Sequence, residues 1–246
     1  MSLNFELLQQ VGKEYEVFRE PAHSRISGNV GRAHLDLDMF SREESMKLLQ
    51  RLFLLPSSNA PRIVVFCGVE TGDGASWVCL HAGEILASQV ETSVCLVDAN
   101  LRSPFLHEYF RGDALRGLTD AILQPGPVDD FAYRVNGGNL WLLPCGSNFS
   151  DPHGLLNSDR LRSRISELRA KFGYVLIDGP PVNLYADTSL LGKLTDGVVL
   201  IVQANSTRRE AAKKAKESLE FANVRLFGTV LNKRLFPIPE SLYRRI

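Results

Sequence analysis

The chain has 246 residues, of which 44% are hydrophobic and 23% are charged, and its 28 basic and 28 acidic side chains give zero formal net charge. These values are typical of a globular protein with a sizeable core. The balanced charge argues against nucleic acid as a partner, because binding to a phosphate backbone requires a basic excess. The four cysteines show no metal-binding spacing and are interpreted as buried core residues.

The N-terminal part of the chain differs from the rest. Residues 4–20 favour an amphipathic helix, because apolar side chains recur there at helical spacing, and residues 21–32 favour a linker rich in Gly, Ser and His. A second helix is predicted to begin after Ser41, with Ser41 as the N-cap residue and Glu44 completing a capping box.

From Arg62 onward, short apolar segments alternate with helical patterns. Near-continuous apolar segments such as Val198–Val202 are typical of parallel strands that are covered on both faces. The alternation predicts a doubly wound α/β fold, with a mostly parallel sheet, helices on both faces and ligands at the carboxyl ends of the strands. The segments interpreted as strands are 63–67, 93–98, 140–144, 174–177, 197–203 and 226–231.

The patterns divide the chain into three parts: an N-terminal helical segment with its linker (1–58), an α/β domain of the P-loop NTPase type (59–236) and a short C-terminal tail (237–246). No apolar run approaches the roughly 18 residues that a transmembrane helix needs, and the N-terminus lacks the pattern of a signal peptide. The expected location is therefore the cytoplasm.

The segment after the first of these strands, Gly68–Ser76, has the glycine spacing of a phosphate-binding loop without its lysine. A functional loop ends in Gly-Lys-Ser or Gly-Lys-Thr, whereas this one ends in Gly74-Ala75-Ser76. Backbone N–H groups at the start of the next helix can still bind an anion. The alternative is a tight turn that binds no ligand.

Two later strands each end in an aspartate. Asp98 follows Val94–Val97, and Asp178 follows Tyr174–Ile177. Carboxylates at the ends of strands beside a phosphate loop are well placed to hold Mg²⁺. For Asp98 the alternative is a cap of the following turn.

The order and spacing of these motifs, from Ser41 to Asn232, resemble those of the bacterial tyrosine kinases of capsule and exopolysaccharide synthesis, within the P-loop ATPases that include the MinD and ParA types. The segment Asp98–Arg102 is similar to the family's Asp-x-Asp-x-Arg motif, and Asp178-Gly179-Pro180 is similar to its Asp-x-Pro motif. The segment Gly228–Asn232 is also similar to the family, and Asn232 lies at the position where relatives contact adenine.

The resemblance implies ATP or ADP as the nucleotide, with Mg²⁺. It implies metal ligands at Ser76, Asp98 and Asp178, and catalytic roles for Asp98, Asp178 and Arg102. It also implies a membrane polysaccharide co-polymerase as activator, an active kinase paralogue, a homo-oligomer and a peripheral location at the inner face of the membrane through a partner. The nucleotide-contacting positions that it implies are Gly72, Asp73, Gly74, Ala75, Ser76, Trp77 and Asn232.

Several positions depart from the family's pattern. The loop lysine is Ala75, the second carboxylate of the Asp-x-Asp pair is Asn100, and Trp77 takes the place of a threonine. Trp77 can pack into the core or crowd the magnesium side. The C-terminal tyrosine cluster is reduced to Tyr243. Together these changes lead to the hypothesis of an impaired pseudokinase that acts as a regulator or scaffold.

Two alternatives remain. The first is an active tyrosine autokinase or ATPase in which Arg102 or a neighbouring subunit supplies the missing charge. The alternative for Arg102 is that it merely pairs with an acidic neighbour. The second is a positioning ATPase of the MinD or ParA type. It is disfavoured because those proteins carry a further lysine where this chain has Val69-Glu70-Thr71.

Overall fold

The computed structural model describes residues 4–6, 39–54, 60–110, 116–147 and 151–233. The strands in these ranges form one eight-stranded sheet, which confirms the predicted doubly wound α/β class. The strands are β1 (Asn4–Glu6), β2 (Ile63–Gly68), β3 (Val94–Asp98), β4 (Tyr133–Arg134), β5 (Leu140–Leu143), β6 (Tyr174–Gly179), β7 (Gly197–Gln203) and β8 (Leu226–Asn232).

Helices cover both faces of this sheet, as the sequence predicts. Two shorter helical turns accompany them, a π-helical turn at Gln50–Leu54 and a 3₁₀ turn at Val128–Phe131. The α-helices are α1 (Met39–Leu49), α2 (Ala75–Gln89), α3 (Leu106–Tyr109), α4 (Leu118–Leu123), α5 (Pro152–Leu156), α6 (Asp159–Lys171), α7 (Asp187–Leu194) and α8 (Arg209–Phe221).

The strand order is β1-β8-β7-β2-β6-β3-β5-β4, and every neighbouring pair is parallel except β4 with β5. The chain leaves the central strand β2 towards β3 on one side and later returns to β7 and β8 on the other. The crevice where the strand order reverses lies at the carboxyl ends of the central strands, and ligands bind there in open α/β sheets.

Alternate residues of the central strands feed two separate cores. Val65 of β2 packs with the side chains of α4, α6, α7 and α8, whereas Phe66 packs with those of α1 and α2 on the opposite face. This double burial explains why the strands are apolar at nearly every position. The predicted burial of the cysteines is confirmed, since Cys67, Cys79, Cys95 and Cys145 are all buried.

Two N-terminal predictions need correction. Asn4–Glu6 form a strand that pairs in parallel with β8, where the sequence predicts the start of a helix, because backbone pairing with a sheet edge overrides a local helical pattern. Helix α1 begins at Met39, which puts Ser41 inside the helix and not at its cap. The rest of the predicted first helix, the linker and the C-terminal tail lie outside the described residues.

Helix α1 and the turn that follows it are part of the core on the α2 face of the sheet. Leu48, Leu49 and Phe53 are buried in the cluster that also contains the apolar face of α2. Among the helices that the structure describes, none is long and apolar enough to cross a lipid bilayer.

Asp196, just before β7, joins the amino ends of two strands. Its Oδ2 accepts hydrogen bonds from the backbone N–H of Arg62 at 2.7 Å and of Ile63 at 2.8 Å, and its Oδ1 accepts one from Arg169 Nη2 at 2.8 Å. Burial opposes the ionised carboxylate, but the Arg169 guanidinium and the two N–H donors outweigh burial and lower the pKa of Asp196.

We expect Asp196→Ala to lower the free energy of unfolding at pH 7 by about 2 kcal/mol, because a charged acceptor is removed from a partly buried N–H group. Since the pKa is depressed in the folded state, this stabilisation is present above the unfolded-state pKa of about 3.9 and is lost as the pH falls through the folded-state pKa. Urea unfolding at pH 7 and at pH 3 measures both effects. An equal difference between the two proteins at both pH values would contradict the ionic origin.

The exposed pair of Lys213 with Glu217 supplies the control, and Lys213→Ala is expected to change stability by less than about 0.5 kcal/mol.

Candidate functional site

The three predicted motifs meet at one edge of the sheet. Strands β2, β6 and β3 are adjacent and parallel, so their carboxyl ends lie side by side. Asp98 and Asp178 are direct neighbours in the register of β3 and β6, and the backbone N–H of Ala99 donates to the Asp178 carbonyl at 2.9 Å. The sheet therefore brings together two carboxylates that are 80 positions apart in sequence.

The loop between β2 and α2 has the backbone that its glycines allow. Gly72 and Gly74 adopt left-handed conformations, with φ of 91° and 85°. A Cβ atom at Gly74 would collide with Asn232 Nδ2, whereas one at Gly72 would meet no atom of the described chain within 4 Å. Gly74 precedes α2 without a side-chain capping bond, which leaves the first N–H groups of the helix available to an anion.

Asp73 shapes this loop from inside. Its Oδ2 accepts hydrogen bonds from the N–H groups of Val69 and Glu70, both at 2.8 Å, and its Oδ1 accepts one from Thr207 Oγ1 at 2.9 Å. The resemblance places Asp73 among the nucleotide contacts. In the structure its side chain holds the loop in shape and links it to the end of β7.

The end of β8 lies against the same loop. Asn232, assigned to adenine by the resemblance, donates from Nδ2 to the Asp73 carbonyl at 2.9 Å. Lys233, which sequence reasoning missed, donates from Nζ to the Gly72 carbonyl at 2.7 Å. The one signal that could have identified Lys233 is its position directly after Asn232 at the carboxyl end of a strand.

The two carboxylates are buried and only partly satisfied. Neither oxygen of Asp178 has a hydrogen-bond partner, and Asp98 Oδ1 also lacks one. Asp98 Oδ2 accepts the N–H groups of Phe105 and Leu106, both at 2.9 Å. Asp98 therefore caps the following turn, as one interpretation of the sequence proposes, and still leaves one oxygen free for a ligand.

Burial and mutual repulsion act strongly on this pair. Burial raises the pKa of Asp178 well above its ordinary value, and the negative charge of Asp98 raises it further. The Ser76 hydroxyl opposes this rise, although it is not placed to form a hydrogen bond with either oxygen of Asp178. Burial raises the pKa of Asp98 to about 6, against the N–H groups of Leu106 and Phe105. Both carboxylates thus lie where a cation would stabilise their charged forms.

These orphaned oxygens fit Mg²⁺, which prefers hard oxygen ligands. Asp98, Asp178 and the Ser76 hydroxyl would hold such an ion, as the resemblance implies. Within the described ranges, no group of three or more His, Cys, Asp or Glu side chains is placed to bind a metal, so an ion here would be held by two carboxylates and a hydroxyl.

Arg102 forms an ion pair with an aspartate that is distant in sequence. Its Nε donates to Asp187 Oδ2 at 3.0 Å, its guanidinium carbon lies 4.2 Å from the centre of the Tyr185 ring, and Asp187 Oδ1 lies 3.2 Å from His153 Nδ1. This is the ion pair that the sequence left open as the alternative to a catalytic role. Asn100 lies two residues beyond the end of β3, and Tyr243 lies outside the described residues.

Trp77 packs in an aromatic cluster against the core on the α2 face. Its ring centre lies 5.1 Å from that of Phe105, 5.5 Å from that of His81 and 5.7 Å from that of Tyr109. Of the two placements that the sequence allows, the structure shows the packed one. The aromatic cluster joins α2 to α3 and so supports the turn that Asp98 caps.

The chain is similar to known proteins over most of its length. It is 32% identical over 161 residues to tyrosine-protein kinase YwqD of Bacillus subtilis, a match that covers 65% of this chain and 68% of YwqD. The structure superposes on the chimerical protein CapA2B2 with a TM-score of 0.75 and 26% identity, covering 81% of this chain and 87% of the other.

A more distant neighbour is the septum site-determining protein MinD of Pyrococcus horikoshii, which was solved in complex with Mg-ADP. Its TM-score is 0.59 at 19% identity, with 74% of this chain and 76% of the other covered, so it shows a shared fold. No family model matches the chain.

Proposed function

Because the chain belongs to the bacterial tyrosine kinase family of capsule and exopolysaccharide biosynthesis, within the MinD/ParA-like P-loop ATPases, we propose that it is a catalytically impaired member that binds nucleotide and acts as a regulator or scaffold. The observation that carries the proposal is a loop that keeps its shape and its N–H groups, with Ala75 at the position of the lysine.

The missing lysine affects catalysis more than shape. Phosphoryl transfer depends on positioning and on preorganised positive charge at the transferring group, and one such group contributes about 3–4 kcal/mol, or about two to three orders of magnitude in rate. Nucleotide binding depends also on the backbone N–H groups, which this loop retains. We therefore expect binding to persist and transfer to be slow.

The chain's own residues have separable roles in this site. The N–H groups at the start of α2 would hold the phosphates, and Ser76, Asp98 and Asp178 would hold Mg²⁺. When bound, Mg²⁺ supplies positive charge to the phosphate oxygens and relieves the repulsion between the two aspartates. Asn100 leaves this site one carboxylate short of the family's pattern.

Family membership also supports a location and partners. We place the protein in the cytoplasm, at the inner face of the membrane through a membrane polysaccharide co-polymerase that acts as its activator. An active kinase paralogue and a second copy of the chain are further partners. Co-purification of the full chain with the membrane protein, and its loss when the membrane protein is absent, would test this assignment.

Calorimetry with ADP and ATP, each with and without Mg²⁺, tests the central proposal. We expect nucleotide to bind, to bind at least tenfold more tightly when Mg²⁺ is present, and to transfer no measurable phosphate to this chain. We expect the Mg²⁺ dependence because the two adjacent carboxylates have no compensating positive charge. Without a cation they repel the phosphates of the nucleotide and weaken its binding. Efficient autophosphorylation would refute impairment, and absence of binding under all four conditions would refute the nucleotide site.

A further inference from the structure

Lys233 is an exposed residue that reaches from the end of β8 across the phosphate loop. Its Nζ donates to the Gly72 carbonyl at 2.7 Å, and its Cε would lie 3.5 Å from a Cβ placed at Gly74. Its backbone is left-handed, with φ of 54°, a conformation that costs a non-glycine residue free energy. The side chain thus passes over the two glycines that determine the path of the loop.

Lys233 acts together with Asn232. Asn232 Oδ1 accepts the Lys233 N–H at 2.9 Å, and Asn232 Nδ2 donates to the Asp73 carbonyl at 2.9 Å. Two successive residues of β8 and its extension therefore hold two successive carbonyl groups of the loop, those of Gly72 and Asp73.

Holding these carbonyls also orients the N–H groups that follow them. In a trans peptide the C=O of one residue and the N–H of the next lie in one plane and point in opposite directions. When the carbonyls of Gly72 and Asp73 point towards β8, the N–H groups of Asp73 and Gly74 point to the opposite side of the loop. A row of N–H groups on one side of such a loop forms an anion-binding concavity.

We propose that Lys233 is a positioning residue for the phosphate loop, which holds the loop from outside in the conformation that presents its N–H groups to nucleotide phosphates. The inference rests on the proposed nucleotide site. In the family the loop lysine contacts the phosphates from within. Ala75 has no donor for such a contact, whereas Lys233 holds the loop from outside through its bond to the Gly72 carbonyl. Its ammonium also adds positive charge beside the loop.

The test compares Lys233→Met with the parent protein in two measurements. Met keeps an unbranched side chain as far as the Cε position and keeps the strained backbone, so it removes the donor and the charge. In the ligand-free protein, hydrogen exchange of the Glu70 amide, which bonds to Asp73 Oδ2, is expected to accelerate about 3- to 10-fold, the effect of losing a hydrogen bond of this kind. In calorimetry with ADP and Mg²⁺, the dissociation constant is expected to rise by a similar factor.

Two variants make the comparison specific. Lys233→Arg keeps a charged donor, so both the exchange rate and the dissociation constant should stay close to the parent values. Lys213→Met changes an exposed lysine on α8 and should alter neither. Unchanged exchange and unchanged affinity in Lys233→Met would overturn the inference. Faster exchange in a protein that binds no nucleotide would uphold the role of Lys233 in the loop and refute the nucleotide site instead.

Discussion

Ala75→Lys is expected to raise the rate of ATP turnover by about 100-fold and to tighten ATP binding. The substituted ammonium would enter a loop whose glycines already have the conformation of a phosphate-binding loop, with Gly74 at the start of α2. One preorganised charge at a transferring phosphoryl group contributes about two to three orders of magnitude in rate. Turnover is measured as phosphate release in the presence of Mg²⁺, because the C-terminal segment, where the family's tyrosines cluster, has Tyr243 as its one tyrosine.

The control for this experiment is Ala75→Met, which adds a chain of similar length without the charge. If the lysine acts through electrostatics, the methionine variant stays at the parent rate. Equal behaviour of the two variants would mean that bulk at this position, and not charge, decides the outcome. A further increase in the double variant with Asn100→Asp would identify the missing carboxylate as a second cause of the impairment.

Asp178→Asn is expected to stabilise the ligand-free protein by about 1–3 kcal/mol at pH 7 and to abolish the dependence of nucleotide binding on Mg²⁺. Both oxygens of Asp178 are buried without hydrogen-bond partners, beside Asp98. A buried acceptor without a hydrogen-bond partner costs about this much free energy, and the amide can donate to its neighbour. The same group would thus destabilise the empty protein and be required when a cation is bound.

The pH dependence has a sign opposite to that of Asp196. Because burial raises the pKa of Asp178 in the folded state, the folded protein binds more protons than the unfolded chain, and stability falls as the pH rises from the ordinary carboxyl range near about 4 towards the folded-state pKa. Urea unfolding from pH 4 to pH 8 should show a weaker decline in Asp178→Asn than in the parent.

The exposed Asp130 provides the matched control, since Asp130→Asn should change the free energy of unfolding by less than about 0.5 kcal/mol. A loss of stability in Asp178→Asn would contradict the proposed role of burial and would point to an unrecognised hydrogen bond. Retained Mg²⁺ dependence would remove Asp178 from the metal site.

Local patterns were enough to predict the class of fold and the order of its parts. The apolar strands from Ile63 onward need burial on both faces, and this requirement is visible in the sequence. The same patterns misplaced the N-terminal elements, because the pairing of Asn4–Glu6 with β8 depends on a strand more than 200 positions away. A capping signal at Ser41 was likewise overridden by a helix that begins at Met39.

The candidate site was also predictable in part. The loop glycines and the aspartates at strand ends can be recognised in the sequence, because a left-handed turn requires glycine and parallel strands end at a common edge. The partners of the side chains cannot be recognised in this way. Arg102 meets Asp187, and Lys233 meets the Gly72 carbonyl, across 85 and 161 positions.

What the sequence by itself determined is the phosphate loop without its lysine, the two aspartates beside it and the family to which they belong. What only the tertiary structure decided is how each group is used. Asp73 shapes the loop, Asp98 caps a turn with one oxygen and keeps the other free, and Lys233 reaches the loop from β8. The physical reason is that residue types and spacing are local properties, whereas burial and hydrogen-bond partners are set by the order of strands in the sheet.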